Sequence, residues 1–267
     1  MATTAILLLA CSNDPATQAN LVPLRLTVSI PSTRSSLEEL SLTDLYVFDY
    51  VGDKCLQTIH QTSEEASFGV VQLMLTRGEH SIYFVASRGD NPVVYEDDHI
   101  LTWDVPKDTF WGDIQIDATS STASQSITLT RVSTRLKVTA TDEIPLDAAT
   151  LTVTPGTWYY GIDYTDGSAQ EPMKSKARTL SIPSQYIGTT GHLSATYYGI
   201  SDAAEWTTDI AIQSKDEDGK VIGSAAIHNA AFCRNVSTEY SGTLFGTDAT
   251  YSIDIDAEWT ASNSHVW

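Results

Sequence analysis

Among the residues that could do chemistry, the acidic clusters Glu64-Glu65, Glu96-Asp97-Asp98 and Asp216-Glu217-Asp218 come first. Two carboxylates can hydrolyse a glycosidic bond when they face each other across a cleft in different environments. These clusters are runs of adjacent residues in turn-like contexts, so each reads as solvated surface. Asp97-Asp98-His99 has the residue types of a metal site, yet successive strand residues point to opposite faces and rarely share one ion. His60, His80, His192 and His228 are scattered without zinc-motif spacing, and no nucleophile elbow or phosphate loop occurs. The stretch Asp216-Glu217-Asp218-Gly219 lacks the ligand alternation and distal Glu of a calcium hand. No catalytic, cofactor-binding or metal residue is assigned, and the chain is read as a non-enzyme.

The aromatic residues suggest a different chemistry. Trp103, Trp111, Trp158, Tyr159, Tyr160, Tyr197, Tyr198 and Trp206 have the types that stack on sugar rings. Adjacent aromatics on one strand cannot all turn inward, so "TWYYGIDY" is the best place for such a platform. A surface glycan-binding lipoprotein is therefore the alternative function, set against ordinary packing, which uses the same residues heavily in β-sandwiches.

The cysteines carry the plainest signal. In "AILLLACSND" an apolar run stops at Cys11, far short of the ~20 apolar residues that span a bilayer. Leu8-Leu9-Ala10-Cys11 places a small residue before the cysteine and leucines before that, the pattern of a lipoprotein signal, so Cys11 is read as the lipid-attachment residue. "MATTA" has no basic residue and the apolar run is short for a signal, so the start is read as clipped or mis-assigned. The polar, breaker-rich "SNDPATQAN" then serves as a tether. Cys55 and Cys233 either pair in an oxidising compartment or stay as two buried thiols. With no CxxC or Cys/His cluster, a zinc site is not expected.

These residues need elements to position them, and the period is two nearly everywhere from Leu24 onward. "LRLTVSI", "DLYVFDY", "SITLTRVSTRLKVTAT", "ATLTVTP", "RTLSIPS", "HLSATYYGI" and "YSIDIDAEW" alternate apolar with polar residues. "VVQLMLTRGEHSIYFVAS" reads as a hairpin turning at Arg77-Gly78-Glu79, and Lys215–Lys220 as a second hairpin tip. Only "SSLEELSL" and "DTFWGDI" hint at a short helix or turn, and no sequence repeat is visible. Many short strands separated by turn signals predict antiparallel β-sandwiches. With 267 residues and a net charge of −19, the chain has room for two modest domains and lacks the basic footprint of a nucleic-acid or polybasic membrane contact. The expected division is a signal and tether over 1–20, an N-terminal sandwich over 21–135 and a C-terminal sandwich over 136–267, meeting near Arg135.

Several of these segments resemble one family. "DLYVFDYVGD", "LTRGEHSIYFVASRGDN", "SITLTRVSTRLKVTA", "NAAFCRNVSTEYSGTLF" and the closing "YSIDIDAEW", behind a lipobox, are similar to the fimbrillin superfamily of Bacteroidetes, the type V pilus subunits. The resemblance implies two tandem transthyretin-like antiparallel β-sandwiches, exported as a lipoprotein to the outer membrane and the cell-surface fimbrium. It also implies that an arginine-specific protease trims the N-terminal strand, and that a neighbouring subunit's strand fills the groove. In this sequence the trimmed strand would be Leu24–Ile30 and the cut would follow Arg34 in "PSTRSS". The partners implied are other pilus subunits, the outer membrane through the lipid on Cys11, and a host or bacterial surface ligand. Little sequence follows the Tyr251–Trp259 strand, so that strand is itself the donor, or the chain is an anchor or tip subunit that keeps its first strand and its lipid.

Overall fold

The computed structural model describes residues 21–30, 40–89, 92–119, 124–170, 172–202, 204–246 and 251–256. The first half contains β1 (Val22–Ser29), β2 (Asp44–Val51), β3 (Lys54–Thr62), β4 (Val70–Leu75), β5 (Glu79–Ser87), β6 (Val93–Tyr95), β7 (Ile100–Thr102), β8 (Thr109–Asp117), β9 (Gln125–Thr128) and β10 (Thr130–Arg131). Alternation does the building here. In β1 the residues Val22, Leu24, Leu26 and Val28 are buried while Pro23, Arg25 and Thr27 face water. Sheet β4-β1-β9 packs on sheet β10-β8-β5-β2-β3 through a core that includes Leu26, Val47, Leu73, Phe84 and Ile127.

The second half contains β11 (Ser133–Ala140), β12 (Thr150–Pro155), β13 (Thr157–Trp158), β14 (Gly161–Asp163), β15 (Met173–Lys174), β16 (Arg178–Ser181), β17 (Leu193–Ile200), β18 (Trp206–Lys215), β19 (Val221–Phe232), β20 (Ser237–Gly242) and β21 (Tyr251–Asp256). Sheet β17-β11-β20-β21 packs on sheet β16-β12-β18-β19 around Leu136, Leu151, Trp158, Ile212 and Tyr240. The all-β sandwich class expected from the sequence is the class the chain adopts.

The two halves repeat one topology that no sequence repeat announced. β1 lies between β4, antiparallel, and β9, parallel. β11 lies likewise between β17, antiparallel, and β20, parallel. The facing sheets follow suit, β3-β2-β5-β8 against β16-β12-β18-β19. Two local expectations are corrected. Residues 70–87 are not a hairpin: β4 pairs with β1, whereas β5 pairs with β2 and β8, so the chain arches between the sheets at Gly78. A φ of +125° there is open to glycine and strained for other residues. After Asp108, "DTFWGDI" is strand, within β8, and its alternation is hidden because Thr109, Phe110 and Gly112 are all buried.

A third layer joins the halves. The small sheet β14-β7-β6 takes β14 from the second half and β6 and β7 from the first. It covers the outer face of β2, where Tyr46, Phe48 and Tyr50 pack with Leu101, Trp103, Ile162 and Tyr164. That explains why seven consecutive residues of β2, Asp44–Tyr50, are buried.

Candidate functional site

The slot occupied by β1 is the most built feature of the first sandwich. Six register pairs, Val22↔Leu75 to Thr27↔Val70, join it to β4, and four, Leu26↔Gln125 to Ser29↔Thr128, join it to β9. Its inward residues and Ile30 are between 0% and 7% exposed. Burying such a side chain contributes about 1.5–3 kcal/mol. Five of them together are worth on the order of 10 kcal/mol, comparable with the whole stability of a small domain. The empty slot is therefore costly, and a strand of the same alternation is its natural occupant. Ladder bonds to the slot's two sides would supply affinity, and the inward pockets would supply specificity.

Beneath the slot lies a buried polar group. Asp49 and His80 are both fully buried, with Nδ1 and Oδ1 2.6 Å apart. His80 Nε2 donates to Thr76 O at 2.9 Å, since a carbonyl can only accept. Gln57 Nε2 reaches both Asp49 Oδ2 at 3.1 Å and Met74 O at 3.0 Å. Farther along, Gln61 Nε2 donates to Val70 O at 3.0 Å while its Oε1 accepts from Gly69 N at 3.1 Å.

The seam between the sandwiches is held by charge and rings. Arg131 donates to Asp108 through Nε at 2.7 Å and Nη2 at 3.1 Å, and through Nη1 to Asn235 Oδ1 at 3.1 Å. Ser133 Oγ donates to the same Asp108 Oδ1 at 2.9 Å. The Tyr164 ring stacks on Phe48 with centroids 3.9 Å apart, and its hydroxyl meets that of Tyr50 at 2.8 Å. Burial is the main cause that pushes the Tyr50 hydroxyl up to about 12, and burial with the Tyr50 contact raises Tyr164 as well.

The residues singled out from sequence fall into place unevenly. Glu64 and Glu65 lie in the turn after β3, Asp97 and Asp98 in the β6–β7 turn, and Asp216–Asp218 at the β18–β19 tip, all acidic side chains on or near the surface. Among the described residues no three His, Cys, Asp or Glu side chains converge as metal ligands. The His99 ring stands steeply inclined to those of Tyr50 and Tyr164, with centroids 5.4 and 5.8 Å away. Cys55 and Cys233 are both free and half-buried; Cys55 Sγ donates to Gln57 O, and burial pushes the Cys233 thiol up. Cys11 and Arg34 lie outside the described residues.

At "TWYYGIDY" ordinary packing, rather than a sugar platform, accounts for Trp158 and Tyr160. Trp158 is 0% and Tyr160 2% exposed. Trp158 meets Trp206, Phe232 and Tyr197 edge-on, at interplanar angles of 74°, 76° and 85°. Sugar stacking needs exposed, coplanar rings; this is a packed core cluster. The chain leaves regular strand after β13, which lets neighbouring aromatics turn inward. The residues that sequence reading missed are Gln57 and Gln61, whose one signal is their alternation with Ile59 on the inward face of β3.

Solved structures share this fold at low identity. A "putative adhesin" from Bacteroides ovatus superposes with a TM-score of 0.57 at 8% identity, over 83% of this chain and 88% of that one. A "putative cell adhesion protein" from Bacteroides uniformis gives 0.55 at 12% identity, over 90% and 99%. "Putative polysaccharide binding proteins (DUF1812)" from Bacteroides thetaiotaomicron give 0.54 at 10% identity, over 88% and 96%. This is the fold implied by the fimbrillin resemblance. Among curated proteins none matches the sequence. A family model, described as a family of unknown function, matches residues 91–265, from the seam through the second sandwich. The chain belongs to that family, DUF6562.

Proposed function

We propose that the protein is a non-enzymatic, cell-surface adhesion protein of the fimbrial kind: a type V pilus subunit that assembles by exchanging β-strands with its neighbours. In this reading residues 1–20 are signal and tether, Cys11 carries the lipid that holds the chain at the outer membrane, and the sandwiches over 21–135 and 136–267 form the folded body. A cut after Arg34 releases β1. The Tyr251–Trp259 strand of the next copy replaces it, or stays paired at home in an anchor form.

The observation that carries this is the place of β1. It is the first described strand, it is central in its sheet, and it buries alternate apolar residues into a slot bounded by β4 and β9. The closing segment "YSIDIDAEW" offers the same period, with Tyr251, Ile253, Ile255, Ala257 and Trp259 alternating against Ser252, Asp254, Asp256 and Glu258. β21 lies at the edge of its own sheet and pairs only with β20 among the described residues. An edge strand can be released without dismantling the sheet behind it. The adhesin-type names of proteins with this fold agree with the reading.

Mass spectrometry of the protein purified from its native surface tests it. An N-terminus at Ser35 identifies a trimmed, polymerising subunit, and a lipid-modified Cys11 an anchor or untrimmed form. An intact Met1 on protein from native membranes overturns the export scheme. The second reading, a surface glycan-binding protein, draws on the polysaccharide-binding name of one protein of this fold. Binding on a glycan array that is lost on mutating an exposed ring such as Tyr95, 50% exposed, would favour it.

A further inference from the structure

Strand exchange poses a physical problem that the first sandwich must solve. β4 pairs with β1 and, among the described residues, with no other strand. When β1 leaves, β4 loses its whole ladder, and a segment held only by Val71, Leu73 and Leu75 would be free to slide or peel. A sliding wall cannot define a register, and a one-residue slip reverses the face of every incoming side chain.

The side chains of the opposite sheet meet that problem. Gln57 and Gln61, four residues apart on the inward face of β3, bond to Met74 O and Val70 O, four residues apart on β4, both at 3.0 Å. Gln61 also accepts from Gly69 N, where β4 begins. At the other end His80, buried against Asp49, donates to Thr76 O. Gln57 also bonds Asp49, which ties the Met74 and Thr76 anchors into one network. None of these bonds uses β1. They also occupy two backbone carbonyls of β4, those of Val70 and Met74. We propose that Gln57, Gln61 and the Asp49–His80 pair are positioning residues that hold β4 as a fixed wall for the incoming strand, an inference that rests on the strand-exchange reading above.

The second sandwich supports this by contrast. Its equivalent of β4 is β17, where Arg178 donates to Thr196 O at 2.8 Å and the Tyr197 hydroxyl donates to Lys176 O at 2.7 Å. That wall borders β11, a mid-chain strand that cannot be trimmed away, and it has no buried histidine–carboxylate anchor among the described residues.

The test uses the full chain with a protease site placed within residues 31–34, cleaved after folding. A fluorescent synthetic peptide of residues 21–30 is the probe; uptake is followed by anisotropy, and hydrogen exchange is read at Val71–Leu75 in the same sample. The pair Gln57→Met and Gln61→Met keeps side-chain size and removes the bonds. We expect the uncut variant to melt within a few degrees of wild type, but the cleaved variant to take up peptide at least tenfold more slowly and to exchange faster at β4. Gln57→Met with Gln61→Glu, which restores the acceptor to Gly69 N alone, should recover part of the β4 protection. Equal uptake and equal β4 exchange in the variant and wild type would overturn the proposal. If cleaved wild type takes up no peptide, the strand-exchange reading fails; the β4 exchange comparison then still decides whether the glutamines hold the wall.

Discussion

The first strands of the two sandwiches occupy the same topological position under opposite constraints. β1 begins the described chain and is held by ladder bonds and its buried alternate residues. β11 is also central in its sheet, but it enters through Val132 and Ser133, where the backbone bonds Thr109, Ser201 and Asn235 from both halves. The Arg131–Asp108 pair sits directly before it. The difference lies in what each strand is tied to, since both bury apolar alternation of similar quality. Once cut from the chain that follows it, β1 can leave by breaking its own contacts, whereas β11 leaves only if the seam opens. In the proposed reading, one topology thus serves as an exchangeable half and a fixed half.

The largest effect should come from breaking the seam. Asp108→Ala removes the carboxylate that pairs with the buried Arg131 guanidinium, which costs about 3–5 kcal/mol. Denaturant unfolding measures this, and both sandwiches should lose stability together. If only one half shifts, the seam does not couple them.

Next come Leu26→Ala in β1 and Leu136→Ala in β11, both at positions with 0% exposure. Each should cost about 2–5 kcal/mol. Hydrogen exchange should separate them, with Leu26→Ala speeding exchange of β1 amides through local opening and Leu136→Ala acting through global unfolding. A uniform acceleration in both variants would erase the distinction between the strands.

Gly167→Ala should have a smaller effect. This glycine has φ +73°, and an added Cβ would lie 2.6 Å from Trp111 Cδ2, across the seam. A cost of about 1–3 kcal/mol follows from overpacking and backbone strain. The smallest effect is with pH. The Tyr50 hydroxyl, raised by burial from 10.0 to about 12, stays neutral when an unfolded tyrosine has already ionised. Its contribution is therefore complete below pH 10 and lost as pH rises toward about 12, with Tyr164 shifted in the same direction. Tyrosinate absorbance with unfolding curves across that range checks it, and Tyr50→Phe should flatten the dependence.

The sequence made the alternation legible, and with it the class and most strands. It could not reveal partners. Val71, Leu73 and Leu75 alternate with the same period whether the next strand pairs with them or faces them from the opposite sheet, so an arch read as a hairpin. β6 and β7 span three residues each, too short for a period to register. β8 lost its alternation because layers cover both its faces. "TWYYGIDY" reads as one strand but folds as β13 and β14 with irregular chain between, which lets Trp158 and Tyr160 both pack inward. Gln57 and Gln61 were visible only as polar residues on an inward face, a conflict that the bonds to β4 resolve.

Strand exchange itself is tested most directly by disulfide trapping between copies. A chain cleaved within residues 31–34 and carrying Gln72→Cys in β4, where Arg25 of β1 is the register partner, is mixed with a second chain carrying Asp254→Cys in β21. The account predicts a covalent link between the two copies only after cleavage. It is contradicted if no intermolecular link forms after cleavage while a control chain carrying both Asp254→Cys and Glu239→Cys, register partners in β21 and β20, closes the link within one copy under the same conditions.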